Sequence, residues 1–169
     1  MPPAASAALY DRERAVAYAH QWAYSRNPAY YDFSALGGDC TNFISQCLRA
    51  GGAPMNYTPV TGWFYNSLSS RAPAWSGVEE LYRFLIRNQG KGPYASLVGP
   101  ADMRLGDVVQ LSFDGKRYGH SLLVVAVEEG ETPENPNILV ATHSFDSDYR
   151  PLDSWVDVTY RYLHIGGAR

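Results

Sequence analysis

The pattern of the chain changes at about residue 90, and this change limits the folds open to it. Before it, residues 11–26 carry apolar side chains at helical spacing, and Ser76 with Glu79 forms the S-x-x-E capping pattern ahead of another helix. After it come β-rich runs such as "GDVVQLSF", "YGHSLLVVAV", "NILVATHSF" and "VDVTYRYLHI", separated by turn residues. Helices followed by strands predict an α+β domain, with N-terminal helices packed on a largely antiparallel sheet.

Two segments between or after these strands carry mostly polar side chains. Residues 128–137, "EEGETPENPN", are predicted to be an exposed loop between strands. The segment "FDSDYR" at 145–150 is predicted to be an ordinary polar loop.

The length and charge of the chain argue against several classes of protein. Its 169 residues suit a single domain over residues 1–169. A net charge of −3 without a Lys/Arg cluster argues against a nucleic-acid partner. No run reaches the roughly 18 to 20 apolar residues of a membrane span, and the start "MPPAASAAL" has no export pattern. The chain as written is predicted to be cytoplasmic, or secreted if a leader was removed, and its oligomeric state is left open.

The two cysteines, Cys40 and Cys47, lie in "GGDCTNFISQCLRAGG". Gly37-Gly38 permits a sharp turn, Asp39 is a good N-cap residue, and a helix is predicted from about Cys40 to the glycines at 51 and 52. Seven residues of helix span about 10.5 Å, whereas disulfide-bonded Cα atoms lie within roughly 7 Å. The two cysteines are therefore not expected to form a disulfide with each other.

Position separates the two cysteines in chemical character. Cys40 lies at the predicted helix start, where unpaired N–H groups and the helix dipole lower the pKa of a thiol toward the thiolate. Cys47 lies in mid-helix and is interpreted as a core residue. Cys40 is thus the candidate nucleophile.

A thiol nucleophile needs a base, and two of the four histidines occupy suitable positions. His120 begins one predicted strand and His143 ends the next. If these strands are antiparallel neighbours, both imidazoles lie at the same rim of the sheet. His20 is expected at the surface, and His164 in a hydrogen-bonded structural role.

Several of these segments together resemble a known family. "NPAYYDFSALGGDCTNFISQCLRAGG", "LGDVVQL", "YGHSLLVVAV" and "ATHSFDSDYRPL" are similar to the putative amidase domain family of bacterial papain-like cysteine hydrolases, related to NlpC-type cell-wall peptidases. The resemblance covers roughly residues 10–165, and D-C-T-N-F-I-S-Q is its most specific part. It implies a papain-like fold in which Cys40 is the nucleophile, His120 the general base and His143 the orienting residue, while Asp107 is a structural turn residue.

The resemblance also raises the question of which groups stabilise the oxyanion. The backbone N–H of Cys40 is the first candidate donor. The second candidate is Tyr31, with Tyr30 or Asn42 as alternatives. Asp146 or Asp148 could replace His143 as the orienting group if the preceding strand ends early.

The predicted function is hydrolysis of a peptide-like amide through a thioester, with no cofactor and no metal. Three alternatives stay open: transfer of the acyl group to an amine or alcohol, a non-catalytic papain-like binding module, and a zinc site built from Cys40, His120 and His143. Zinc is the least supported, because no H-E-x-x-H or C-x-x-C pair is present. A cell-wall peptide is suggested only by related families, and a cytoplasmic peptide or a biosynthetic intermediate remains possible.

Overall fold

The computed structural model describes residues 10–169, in which four helices precede most of the strands. The helices are α1 (Arg12–Trp22), α2 (Cys40–Ala50), α3 (Pro73–Ser76) and α4 (Val78–Arg87). The strands are β1 (Tyr65–Ser67), β2 (Ser70–Arg71), β3 (Pro93–Val98), β4 (Val108–Ser112), β5 (Tyr118–Thr132), β6 (Asn135–Thr142), β7 (Ser147–Pro151) and β8 (Thr159–Ala168). The prediction of an α+β fold is confirmed.

Six strands form one antiparallel sheet in the order β3-β8-β4-β5-β6-β7, and β1 pairs only with β2. Strand β8 thus lies between β3 and β4, although it is the last strand in the sequence. Strands β4 to β7 follow one another as hairpin neighbours. This arrangement places the start of β5 beside the end of β6, at one rim of the sheet.

Apolar side chains are buried on both faces of the sheet. On one face, Leu123 and Val125 of β5 pack in the same cluster as Phe43, Ile44 and Cys47 of α2. On the other face a second cluster contains the alternate β5 residues Leu122 and Val124. Burying each such aliphatic side chain contributes about 1.5–3 kcal/mol, so α2 is held firmly against the sheet.

The turn into α2 forms as predicted, but Asp39 does not cap the helix with its side chain. Gly37 and Gly38 have φ angles of 93° and 107°, a left-handed conformation that favours glycine. The Asp39 carboxylate instead accepts hydrogen bonds from the backbone N–H of Phe33, at 2.8 Å, and from Asn42 Nδ2, at 2.9 Å. It therefore holds the preceding loop against the first turn of α2.

Two segments predicted to be loops are largely strands. β5 continues to Thr132 and β6 begins at Asn135, so most of 128–137 extends a hairpin in spite of its polar sequence. Residues 147–151 form the edge strand β7 and pair with β6. A hairpin beyond the sheet and an edge strand both face solvent, so they do not require the apolar alternation used to recognise strands.

The cap of the fourth helix also differs from the prediction. The N-cap position of α4 is Gly77, and the Ser76 hydroxyl accepts a hydrogen bond from Arg71 Nε at 2.9 Å. Ser76 belongs to α3, so the S-x-x-E pattern spans the junction of two helices.

None of the helices within residues 10–169 combines the length and the apolar content that crossing a bilayer requires.

Candidate active site

One cavity of about 420 Å³ is lined by both Cys40 and His120. Cys40 is the first residue of α2, and His120 is the third residue of β5. Two glycines of the turn before α2 form part of its wall, and the side chains of three aromatic residues surround it. The remaining lining residues are Gly37, Gly38, Phe113, Gly119, Ser144, Phe145, Arg150 and Trp155. The structure therefore brings together a thiol and an imidazole that are 80 positions apart in the sequence.

Hydrogen bonds between the residues that follow Cys40 and His120 fix the helix start relative to the strand. The hydroxyls of Thr41 and Ser121 lie 2.9 Å apart, and Gln110 Nε2 donates to Ser121 Oγ at 3.2 Å. The Cys40 sulfur lies 3.8 Å from the Thr41 hydroxyl. These contacts are buried, so competition from water does not loosen them.

The environment of Cys40 changes one expectation about its reactivity. Its side chain is only 7% exposed, and this burial raises the pKa of the thiol. The backbone N–H groups of Ser121 and Thr41 act in the opposite direction by stabilising the thiolate, but burial is the largest effect. The lowered pKa predicted from the helix start is therefore not found, because that prediction contained no cost of desolvation.

His120 is oriented by Thr142, the last residue of β6. The Thr142 hydroxyl lies 3.3 Å from His120 Nε2 and donates its single proton toward the carbonyl oxygens of Ser121, at 3.0 Å, or His143, at 2.7 Å. With its proton on a carbonyl oxygen, the hydroxyl accepts from His120, an arrangement that favours the tautomer with the proton on Nε2. The other nitrogen, Nδ1, is left with a free lone pair.

Burial and, to a smaller extent, the positive charge of Arg150 together lower the pKa of His120 to about 4. The neutral imidazole is therefore the form present at neutral pH. A neutral ring with a defined tautomer can accept a proton at Nδ1.

This shift predicts a pH-dependent loss of stability. Above about pH 6.5 the ring is neutral in both the folded and the unfolded chain, whereas between about pH 6.5 and 4 only the unfolded chain takes up the proton. We expect His120 to reduce the free energy of unfolding by about 3 kcal/mol across this range. Urea titrations of the wild type and His120→Gln at both ends of the range measure this, and equal pH dependence of the two proteins would contradict it.

His143 does not contact His120 through its ring nitrogens, because both are occupied elsewhere. Nδ1 donates to Asp39 Oδ2 at 2.5 Å, and Nε2 donates to the carbonyl oxygen of Trp22 at 2.7 Å. Both ring nitrogens are therefore engaged by groups of other elements. It stacks on Phe43 with 4.0 Å between ring centroids.

The predicted orienting role of His143 is therefore corrected. Its partners come from the loop before α2 and from the end of α1, so it ties the turn after β6 to the helices. Both ring nitrogens are occupied by these contacts, and Cys40, His120 and His143 do not form a group that could hold a metal ion among residues 10–169.

The predicted oxyanion donors lie outside the cavity wall. Asn42 uses both amide protons, toward the carbonyl oxygen of Tyr31 at 3.0 Å and toward Asp39, and its oxygen accepts from Trp75. The backbone N–H of Tyr31 donates to Tyr65, and its ring packs edge-on against Phe33. Tyr30 stacks on Trp75.

The backbone of the helix start offers a donor instead. The first hydrogen bond of α2 runs from Phe43 N–H to the carbonyl oxygen of Asp39 at 3.0 Å. The N–H of Cys40 lies ahead of that bond, as expected for the first residue of a helix. It remains the candidate donor predicted from the sequence.

The acidic alternatives to His143 are engaged with basic residues of other elements. Asp146 accepts from Arg26 at 3.0 Å, and Asp148 contacts His20 Nδ1 at 2.7 Å. Neither is positioned by these contacts to orient His120. Since His20 is half-buried in this pair, its assignment as a simple surface residue is also revised.

Asp107 and His164 have the structural roles expected of them. The Asp107 carboxylate accepts from Arg12 at 2.7 Å, from the N–H of Ile165 at 2.9 Å and from His164 Nδ1 at 3.1 Å. It thereby joins the turn before β4 to α1 and β8.

Thr142 and the cavity residues Ser144, Phe145 and Arg150 were not identified from the sequence. Thr142 resembled any strand threonine, and Arg150 was assigned to a polar loop. Phe145 is 85% exposed, and it and Ser144 adopt left-handed φ angles of 61° and 69°. Such backbone angles in residues other than glycine are uncommon and cluster at functional sites, but no sequence pattern announces them.

These features define an α+β protein with a buried thiol and a neutral imidazole on one cavity. Residues 9–165 match the family described as "Putative amidase domain". The chain belongs to this family.

One curated relative gives little further information about activity. The chain is 37% identical over 166 residues to the uncharacterized protein YhbB of Bacillus subtilis (strain 168). The match includes 92% of this chain and 50% of YhbB, so the chain spans about half the length of that relative. No solved structure matches the chain.

Proposed function

We propose that this protein is a papain-like cysteine hydrolase that cleaves a peptide-like amide through a thioester on Cys40. The observation that supports this most directly is the shared cavity of Cys40 and His120, with Thr142 holding the histidine in one tautomer. Membership of an amidase family agrees with an amide as the substrate.

The first half of the proposed reaction breaks the amide. His120 Nδ1 takes the proton from the Cys40 thiol as the sulfur attacks the carbonyl carbon. The Cys40 N–H donates to the oxyanion of the tetrahedral intermediate. The His120 imidazolium then gives its proton to the amine nitrogen, the C–N bond breaks, and the acyl group remains on sulfur as a thioester.

The second half releases the acid and restores the enzyme. His120 removes a proton from a water molecule, whose oxygen attacks the thioester carbonyl carbon. The C–S bond breaks, the thiol regains its proton from His120, and a carboxylic acid leaves. If an amine took the place of water, the same thioester would yield a new amide.

The pKa shifts support a neutral pair in the resting enzyme. Burial raises the pKa of Cys40 and lowers that of His120, so both shifts oppose transfer of the proton before substrate binds. We therefore expect His120 to act as a true general base during attack, and not as the partner of a preformed thiolate.

A library of peptidyl aminomethylcoumarins tests the proposal. We expect release of aminomethylcoumarin and, after acid quenching, a mass increase equal to the acyl group on the peptide that contains Cys40. Adding hydroxylamine or glycine amide separates hydrolysis from acyl transfer by the mass of the product. Turnover without any dependence on Cys40 would contradict the proposal.

Thr142→Val tests the orienting role assigned to Thr142. The substitution keeps the shape of the side chain but removes the acceptor for His120 Nε2–H, so the ring loses its preferred tautomer. By analogy with residues that orient metal-binding histidines, we expect kcat to fall about 10- to 100-fold with little change in KM. Thr142→Ser should restore most of kcat, whereas equal losses in both variants would indicate a packing role.

A further inference from the structure

Arg150 of β7 is the only permanently charged residue among those that line the Cys40 cavity. Its positive charge reaches the catalytic region, because it lowers the pKa of His120. The charge therefore acts on the same space in which the scissile amide would lie.

The Arg150 side chain is held in place without an acidic partner among residues 10–169. Nε donates to Ser154 Oγ at 2.7 Å, and Ser154 in turn donates to the carbonyl oxygen of Pro151. The guanidinium carbon lies 3.6 Å from the ring centroid of Trp155. These contacts fix the stem and one face of the group, and they leave the two terminal nitrogens without a hydrogen-bond partner in the described part of the chain.

The nearby carboxylates do not neutralise this charge. Asp146 and Asp148, which precede Arg150 in the same hairpin, pair with Arg26 and His20. Asp39 pairs with His143. A guanidinium that is braced on an aromatic ring, free of acidic partners and directed at a cavity is suited to bind a carboxylate by two parallel hydrogen bonds.

We propose that Arg150 forms an anion subsite that binds a free carboxylate of the substrate next to the scissile amide. This inference rests on the proposed function, and it narrows the substrate to a peptide-like amide bearing an acidic group. A bound carboxylate would also offset the effect of Arg150 on His120, making the imidazole a better base. Acidic substrates should therefore gain in kcat as well as in KM.

Matched pairs of peptidyl aminomethylcoumarins test the subsite. The two members of a pair differ only by Glu or Gln, either at the residue beside the coumarin or at the residue before it. We expect wild-type protein to prefer the Glu member of at least one pair by roughly 10- to 100-fold in kcat/KM, the range for a charge-assisted hydrogen bond. Arg150→Gln should remove the preference while leaving slow cleavage of the Gln substrate. Arg150→Lys keeps the charge but cannot form two parallel hydrogen bonds to a carboxylate, so it should keep only part of the preference.

A binding measurement separates failure of the subsite from failure of the hydrolase proposal. Calorimetry with Cys40→Ala protein compares the N-acetyl glutamyl and glutaminyl peptides without requiring turnover, and Cys40→Ala/Arg150→Gln serves as its control. Turnover with no Glu preference overturns the subsite and leaves the hydrolase standing. A Glu preference that survives Arg150→Gln in a folded protein, checked by circular dichroism, also overturns it. If no amide is cleaved, Arg150-dependent binding of the glutamyl peptide still supports the subsite, and its absence overturns it.

Discussion

Replacing Cys40 with serine is expected to reduce amide turnover by at least about 10³-fold, because the hydroxyl is a far weaker nucleophile than the thiol in a site built around a neutral imidazole. Cys40 belongs to neither of the two buried apolar clusters, so the melting temperature should change little. The rate of aminomethylcoumarin release and the mass of the quenched protein measure the effect. No acyl adduct should form on the serine variant within the time of a thiol turnover.

Cys47→Ala is the matched control, since Cys47 lies on the same helix but is fully buried in the core. It should keep the activity and lose some stability. Iodoacetamide should modify Cys40 with a rate that rises toward alkaline pH, in line with its raised pKa, and should leave Cys47 unmodified. Rapid alkylation of Cys40 that persists into the acid range would instead indicate a thiolate–imidazolium pair and contradict the neutral resting state.

His143→Ala is expected to lower the free energy of unfolding by about 3–5 kcal/mol, the cost of removing one partner from a buried ion pair. Asp39 is 1% exposed and would be left buried without its histidine partner. Arg26, whose Nε lies 3.6 Å from Asp39, compensates only in part because it is shared with Asp32 and Asp146. Urea denaturation followed by tryptophan fluorescence measures the loss.

His120→Ala provides the contrast that separates the two histidines. We expect it to abolish turnover while costing much less stability, since its ring faces the cavity and forms one hydrogen bond to Thr142. If His143→Ala instead left stability unchanged and removed only activity, the structural role given to the Asp39–His143 pair would be wrong. Asp39→Asn should destabilise the protein in the same way as His143→Ala.

Local signals in the sequence mark Cys40 and His120 as candidates, and the family resemblance implied that they share one site. Gly37, Gly38 and Asp39 indicate the start of α2, and Tyr118-Gly119 precedes the apolar run of β5. Antiparallel pairing of β5 with β6 then limits where the strand ends can meet. The glycine–aspartate and Tyr-Gly signals each lie within a few residues of the side chain concerned.

The partners of His143 could not be predicted from the sequence, since they are distant in it. Asp39 lies 104 residues before it and Trp22 lies 121 residues before it. The resemblance assigned the orienting role to His143, whereas in the structure its neighbour Thr142 contacts His120. In an extended strand adjacent side chains point to opposite faces, and a shift of one residue at the strand end decides which one reaches His120.

The sequence did not indicate a role for Arg150 at the cavity, because the hairpin segment that carries it is polar. β7 is an edge strand of five residues, and an edge that faces solvent is commonly charged. Arg150 is held beside the cavity by Trp155 and Ser154, which follow it in a separate turn and contact its guanidinium group.

The strand order also bears on synthesis of the protein. Because β8 pairs with both β3 and β4, the sheet stays divided until residues 159–168 have emerged from the ribosome. Cys40 and His120 are both translated well before that point. Until then, however, strands β4 to β7, which include His120, lack β8 as the neighbour of β4. The full strand order of the sheet is therefore expected to form only when β8 inserts between β3 and β4.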